Sequence, residues 1–226
     1  TSASKTEENS YDLIEIVTHL NAGREFIFDS MLSFGENSII ELAQLNLRAC
    51  KQCKQSVANR EAMQHIRVAA ECLEKFDEEQ VWTKHYMLTL EVYRELADSY
   101  YVENKLDTFK QLVNRISYKC VNNIDKANIL RMLLVQQTMN NEMMDAIQTG
   151  IQALTLLGVT IPSPADLKQN LPTEIENLKQ LVEGKRWNIT IDPTEKSRIS
   201  LIDDLIVNIV NDVYSATFTF NPALSF

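Results

Sequence analysis

Residues 93–116 read YRELADSYYVENKLDTFKQLVNRI. Tyr93, Leu96, Ala97 and Tyr100 recur at intervals of three and four, and after the polar turn Glu103 to Lys105 so do Phe109, Val113 and Ile116. That spacing places each set on one face of a helix, so the stretch predicts two amphipathic helices folded back on each other. The surroundings extend the prediction. From residue 36 to residue 149 there is neither glycine nor proline, and a sheet of that length would need several turns built without them. The whole run is therefore expected to be helical. Its breaks fall at polar clusters: Ser56 to Asn59, Asp77 to Gln80, Glu103 to Lys105, Asn122 to Asp125 and Asn140 to Glu142.

Aligned on these breaks, the helix pairs repeat a pattern in which a small or apolar residue is followed by another twelve positions later. The instances are Cys50 with Ala62, Ala97 with Phe109 and Leu134 with Ala146. Cys53, Tyr100 and Gln137 stand three residues after the first member. Ile66 and Ala69, Val113 and Ile116, and Gly150 and Ala153 stand four and seven after the second. This resembles the tetratricopeptide helix-turn-helix, in which small side chains let two antiparallel helices approach and larger ones fill the gap to the next pair. The offsets are 47 and 37 residues, against about 34 in regular arrays. The expected fold is all-α: a short, irregular tetratricopeptide-like α-solenoid of antiparallel helix pairs with a C-terminal helical extension.

In that extension, Gly158 is placed to end a helix in the left-handed conformation, and Pro162 and Pro164 cannot continue one. Ser163, Pro164 and Asp166 suit the start of a new helix. Another helix is expected from Pro172 to near Gly184, then an extended stretch from Trp187 to Pro193. In the last helix Ile202, Leu205, Ile206, Ile209, Val210 and Val213 form one stripe that must pack on the preceding helices. The closing run from Phe218 to Phe226 is apolar and wants burial against something further on, as in a segment of a longer polypeptide.

Composition excludes several function classes. With 31 acidic and 22 basic residues, the net charge of −9 repels phosphate backbones and anionic lipid. No nucleic acid is expected as a partner. No run of about 18 apolar residues exists to enter a membrane. The five glycines lack the spacing of a phosphate-cradling loop, which removes a Walker A motif and a dinucleotide fingerprint. Four cysteines in 226 residues are too few for a disulfide scaffold and fit reduced thiols in a cytoplasmic protein. Cys50 and Cys53, with His65 and Cys72, offer four potential zinc ligands, but both members of the CxxC pair fall on repeat positions that call for small buried side chains. No metal and no cofactor are expected. His19, His65 and His85 lack the spacing of a helical zinc site, and there is no nucleophile elbow. Met132, Met139, Met143 and Met144 gather around the third pair and are read as core filling, with an adaptable docking surface as the alternative.

A second resemblance rests on the order of short segments: IVTHLNAG at 16–23, ELAQLNLRA at 41–49, Trp82 with YMLTL at 86–90, LLGV at 156–159, EGK at 183–185, Asp192-Pro193 and NPAL at 221–224. This order is similar to the helical region that follows the AAA-type, STAND-like ATPase module in large multi-sensor signalling kinases. The chain departs from it at Ala22 and Cys50, where a leucine and a glycine are expected. The resemblance implies a parent with a serine/threonine-kinase-like domain before this region, and a GAF domain and sensor histidine kinase after it. The region itself would be non-catalytic, since the kinase and nucleotide-binding motifs lie outside it. It also implies three parts: residues 1–36 continuing from an upstream module, 37–158 forming the repeats, and 159–226 leading to a downstream module.

In a solenoid the first helices of the pairs line the concave side, where the helical period exposes Gln44, Leu47, Lys51 and Lys54, then Glu91, Arg94, Asp98 and Tyr101, then Asn128, Arg131, Val135 and Thr138. Mixed charge with Tyr101 and two arginines suits a peptide or protein ligand, or flanking domains of the same polypeptide. The competing reading is a solvated face closed by its own salt bridges. The function expected is that of a sensor or linker relaying contacts to catalytic modules. The alternatives are a self-standing scaffold for partner peptides and, last, a metal-dependent enzyme.

Overall fold

The computed structural model describes residues 13–29, 31–161 and 200–220, with scattered positions between 166 and 180. All regular structure among them is α-helical. They fall into two compact units, one reaching Cys120 and one beginning at Val121. The expected extended stretch from Trp187 to Pro193 and the run after Phe220 lie outside the described residues. No helix among the described residues is long and apolar enough to cross a membrane.

In the first unit, α1 (13–22) and α2 (Arg24–Asp29) precede α3 (Met31–Gln55), which is kinked at Gly35, where φ is 77° and ψ 165°. There follow α4 (Asn59–Leu73), α5 (Glu78–Lys84), α6 (Tyr86–Val102) and α7 (Leu106–Lys119). α3 packs along α4, α4 along α6 and α6 along α7. Every repeat position here is buried except half-buried Tyr100: Cys50, Cys53, Ala62, Ile66 and Ala69 in one pair, Ala97, Phe109, Val113 and Ile116 in the next. Small residues at Cys50, Ala62 and Ala97 bring backbones together, and Phe109 and Ile66 fill the space between.

The α5/α6 break, at His85, is not among those expected from the sequence. The Asp77 carboxylate starts α5 by accepting from the backbone N–H of Glu79 (3.0 Å) and Gln80 (3.2 Å). At its end the buried Thr89 hydroxyl lies 3.1 Å from the Val81 carbonyl and 2.9 Å from that of His85. Trp82 stacks on Tyr93 (5.9 Å, 14°), and Arg115 covers Tyr93 (5.4 Å) while pairing with Glu78 (2.9 Å), which ties α5 to α7.

The second unit contains α8 (Asn123–Met139), α9 (Met143–Leu156) and α10 (Leu201–Phe220), with helical backbone at the described positions between 166 and 180. The Asn122 side chain caps α8 by accepting from the N–H of Asp125 (2.8 Å). Gly158, at φ 83°, closes α9 as the sequence predicts, and the Val159 N–H reaches the Leu154 carbonyl at 3.0 Å. Ser200 and Asp203 cap α10 reciprocally. α10 packs on α9 and α8, with Leu205, Ile206, Ile209 and Val213 of the expected stripe in the packed cluster. Leu205, Ile209 and Ala216 are buried, whereas Ile202 and Val210 are exposed. The stripe runs through the small Ala216 because that residue fits against Met143 and Ala146.

The three turns inside the helix pairs are one structure repeated. Val57, Asn104 and Asn141 have φ of 61°, 59° and 66°, and each stands seven residues after its pair's Cys50, Ala97 or Leu134. In each, the next N–H returns to the carbonyl five residues earlier: Ala58 to Cys53 (2.8 Å), Lys105 to Tyr100 (2.9 Å) and Glu142 to Gln137 (2.8 Å). This is a Schellman closure whose last residue also starts the following helix. Asparagine tolerates the left-handed region, but a β-branched valine is strained there by about 1–2 kcal/mol. Val57 is largely exposed, so Val57→Asn is expected to raise stability by about 1 kcal/mol. A urea midpoint that stays put or falls would contradict this reading of the turn.

Candidate interaction surface

The helical period puts the expected contact residues other than Leu47 toward the outward sides of α3, α6 and α8, and charge decides what becomes of most of them. Lys51 pairs with Glu91, and the Lys54 ammonium bonds Glu95 and Asp98 at 2.6 Å each. Burial by itself lowers the Lys54 pKa, but hydrogen bonds and charges from Asp98 and Glu95 outweigh it and hold the group above its ordinary range. Much of the predicted face of the first unit is thus spent joining one pair's first helix to the next. Arg67 of α4 reaches Glu103 at 3.4 Å, and Lys105 meets the same carboxylate within the α6/α7 turn at 2.6 Å.

The remaining positions divide. Gln44 and Arg94 are exposed. Leu47 is buried at 5 % exposure, because α3 presents that side to its packed neighbours rather than to solvent. Half-buried Tyr101 packs its ring on Phe109 at 5.7 Å. In the second unit Arg131 pairs with Asp212 of α10 at 2.6 Å. The Asn128 amide and the Thr138 hydroxyl donate to carbonyls one turn back, at 3.1 and 2.9 Å, and Val135 is half-buried. Exposed Arg48, one turn before Lys51 and Gln52, belongs with Arg94 as a cation without an ion pair among the described residues; its place on the exposed side of α3 was readable from its spacing to Gln44.

A surface cavity of about 210 Å³ lies in the first unit, lined by Lys54, Asn59, Arg60, Ser99, Val102 and Glu103. It is smaller than an ordinary small-molecule site, and Lys54 there is already engaged by two carboxylates. Cys50, Cys53 and Cys72 are buried. Burial pushes the Cys50 and Cys72 thiols up to about 12, and raises Cys53 too, so they stay protonated and weakly nucleophilic at neutral pH. Among the described residues no group of three or more histidine, cysteine or acidic side chains is arranged to hold a metal ion. His19 is exposed beside Glu15 (3.9 Å), and His85 ends α5.

The polar cluster the sequence reading missed is internal. Asn21 of α1 and Asn46 of α3 exchange two amide hydrogen bonds, both 2.8 Å, and His65 Nδ1 of α4 lies 3.1 Å from Asn46 Oδ1. Asn46 is fully buried and His65 5 % exposed. The available signal was a polar residue on the apolar stripe of α3, between Ala43 and Cys50.

Compared with protein-family models, with curated proteins and with solved structures, the chain gives no match.

Proposed function

We propose that this chain is a non-catalytic, tetratricopeptide-like helical region of a cytoplasmic multi-sensor signalling ATPase and histidine kinase. Its role is to hold a flanking domain or a protein ligand and bias the catalytic modules between states. The observation that carries the reading is the threefold recurrence of one turn at one repeat position, with small buried side chains around it. Such hairpins present a surface for contact on a stack of interdigitated helices. Differential contact with a ligand in two states is all that relay requires. The order of sequence motifs supplies the signalling context.

The test is the reading frame of the natural gene on both sides of residues 1–226. An ATPase module before them and GAF and histidine-kinase motifs after them support the reading. A frame that ends soon after Phe226 replaces it with a self-standing scaffold.

A further inference from the structure

We propose that the segment formed by α1 and α2 is a detachable strap on the first hairpin, released when His65 is protonated. This rests on the packing of the first unit alone and holds whether or not the chain belongs to a kinase. Apart from Val17 and Phe28, the described strap residues are half-buried or exposed, and Ile16 and Phe26 stand in solvent. Half-buried Leu13, Ile14 and Ile27 add apolar contact, and the rest of the hold is polar. Asn21 makes the reciprocal amide pair with Asn46, Arg24 bonds Glu71 at 3.1 Å, and Lys75 sits 4.3 Å from the Phe28 ring.

His65 lies beneath that hold. Asn46 Oδ1 already accepts from Asn21, so neutral His65 fits with a proton on Nδ1, donating to the same oxygen. Asn21 Nδ2 is 3.5 Å from that nitrogen, which places the strap over the ring. A second proton adds a charge and a further N–H donor to a buried site whose neighbours from α1 and α3 are neutral amides. Burial lowers the His65 pKa, opposed by Glu61 one turn earlier on α4. Removing the strap opens His65 and Asn46 to water on the α1 side, which raises the His65 pKa back toward the ordinary value of about 6.5. Since the docked pKa is the lower one, docking is complete above about 6.5 and weakens as pH falls from there toward the docked pKa. On the strap itself, His19 lies exposed, 3.9 Å from Glu15.

Hydrogen exchange of the full chain, corrected for intrinsic rates, tests this at pH 7.5 and 5.5. Protection of residues 13–29 is expected to fall severalfold, with about tenfold as the ceiling, while that of α7 holds. The fall should vanish in His65→Gln and persist in the double variant His19→Gln/His85→Gln. Flat protection in the wild type overturns the proposal, as does a fall that survives His65→Gln or is shared equally by α7. If His65→Gln does not fold, the ring titration of His65 in the double variant decides. A midpoint matching the loss of protection supports the strap, and a midpoint at or above 6.5 overturns it.

Discussion

Replacing Gly150 with leucine is expected to displace α10 from α9 and cost the second unit about 3–5 kcal/mol. A Cβ at Gly150 would stand 2.1 Å from Val213 Cγ2 and 2.6 Å from Leu134 Cδ1. The leucine can swing its terminal methyl away. Val213 cannot, because its Cγ is one bond from Cβ and χ1 of a valine in a helix has one comfortable setting. The helix must move instead, and it carries the buried Leu205 and Ile209 with it. Leaving glycine behind in a helix recovers about 1 kcal/mol, which is smaller than the loss. Urea unfolding measures the cost. A double-mutant cycle with Gly150→Ala and Val213→Ala isolates its cause, with a favourable coupling of about 1 kcal/mol or more expected. Additive effects would mean that Val213 does not occupy the notch.

Ala97→Arg is expected to destabilise the first unit by about 4 kcal/mol or more through overpacking and an unpaired buried cation. Ala97 is fully buried on α6, in the same unit as the buried Phe109 and Val92, and has no room for a longer side chain without parting the helices. Arg94→Ala, three residues earlier on the exposed side of the same helix, should change stability by less than about 0.5 kcal/mol. Thermal unfolding distinguishes the two. Equal midpoints for Ala97→Arg and wild type would show that the small residue sets no approach between the helices.

The helix boundaries were legible because each expected polar cluster coincides with a structural break. Asn104 and Asn141 tolerate the left-handed turn, whereas Val57 takes it against its own preference. The break between α5 and α6 was not legible. It is made by a threonine hydroxyl and an aromatic stack, which depend on residues brought together only by folding. The contact face was legible as positions and not as chemistry. Periodicity places Lys51, Lys54 and Arg131 outward, but only packing reveals the carboxylates of Glu91, Glu95, Asp98 and Asp212 that meet them. Polar residues on buried stripes, such as Asn46 and Thr89, break the binary pattern, and the partners that satisfy them lie on other helices or other turns; the buried Gln136 amide has none among the described residues.

The proposed role, a relay of contacts to catalytic modules of a longer polypeptide, is tested most directly by phosphotransfer in the full-length natural polypeptide with and without Gly150→Leu. The account predicts that displacing α10 changes the autophosphorylation rate at least about fivefold, on the scale of ordinary allosteric coupling, while nucleotide binding by the attached modules is retained. The same rate in both proteins, or no phosphotransfer in the wild type, would contradict it.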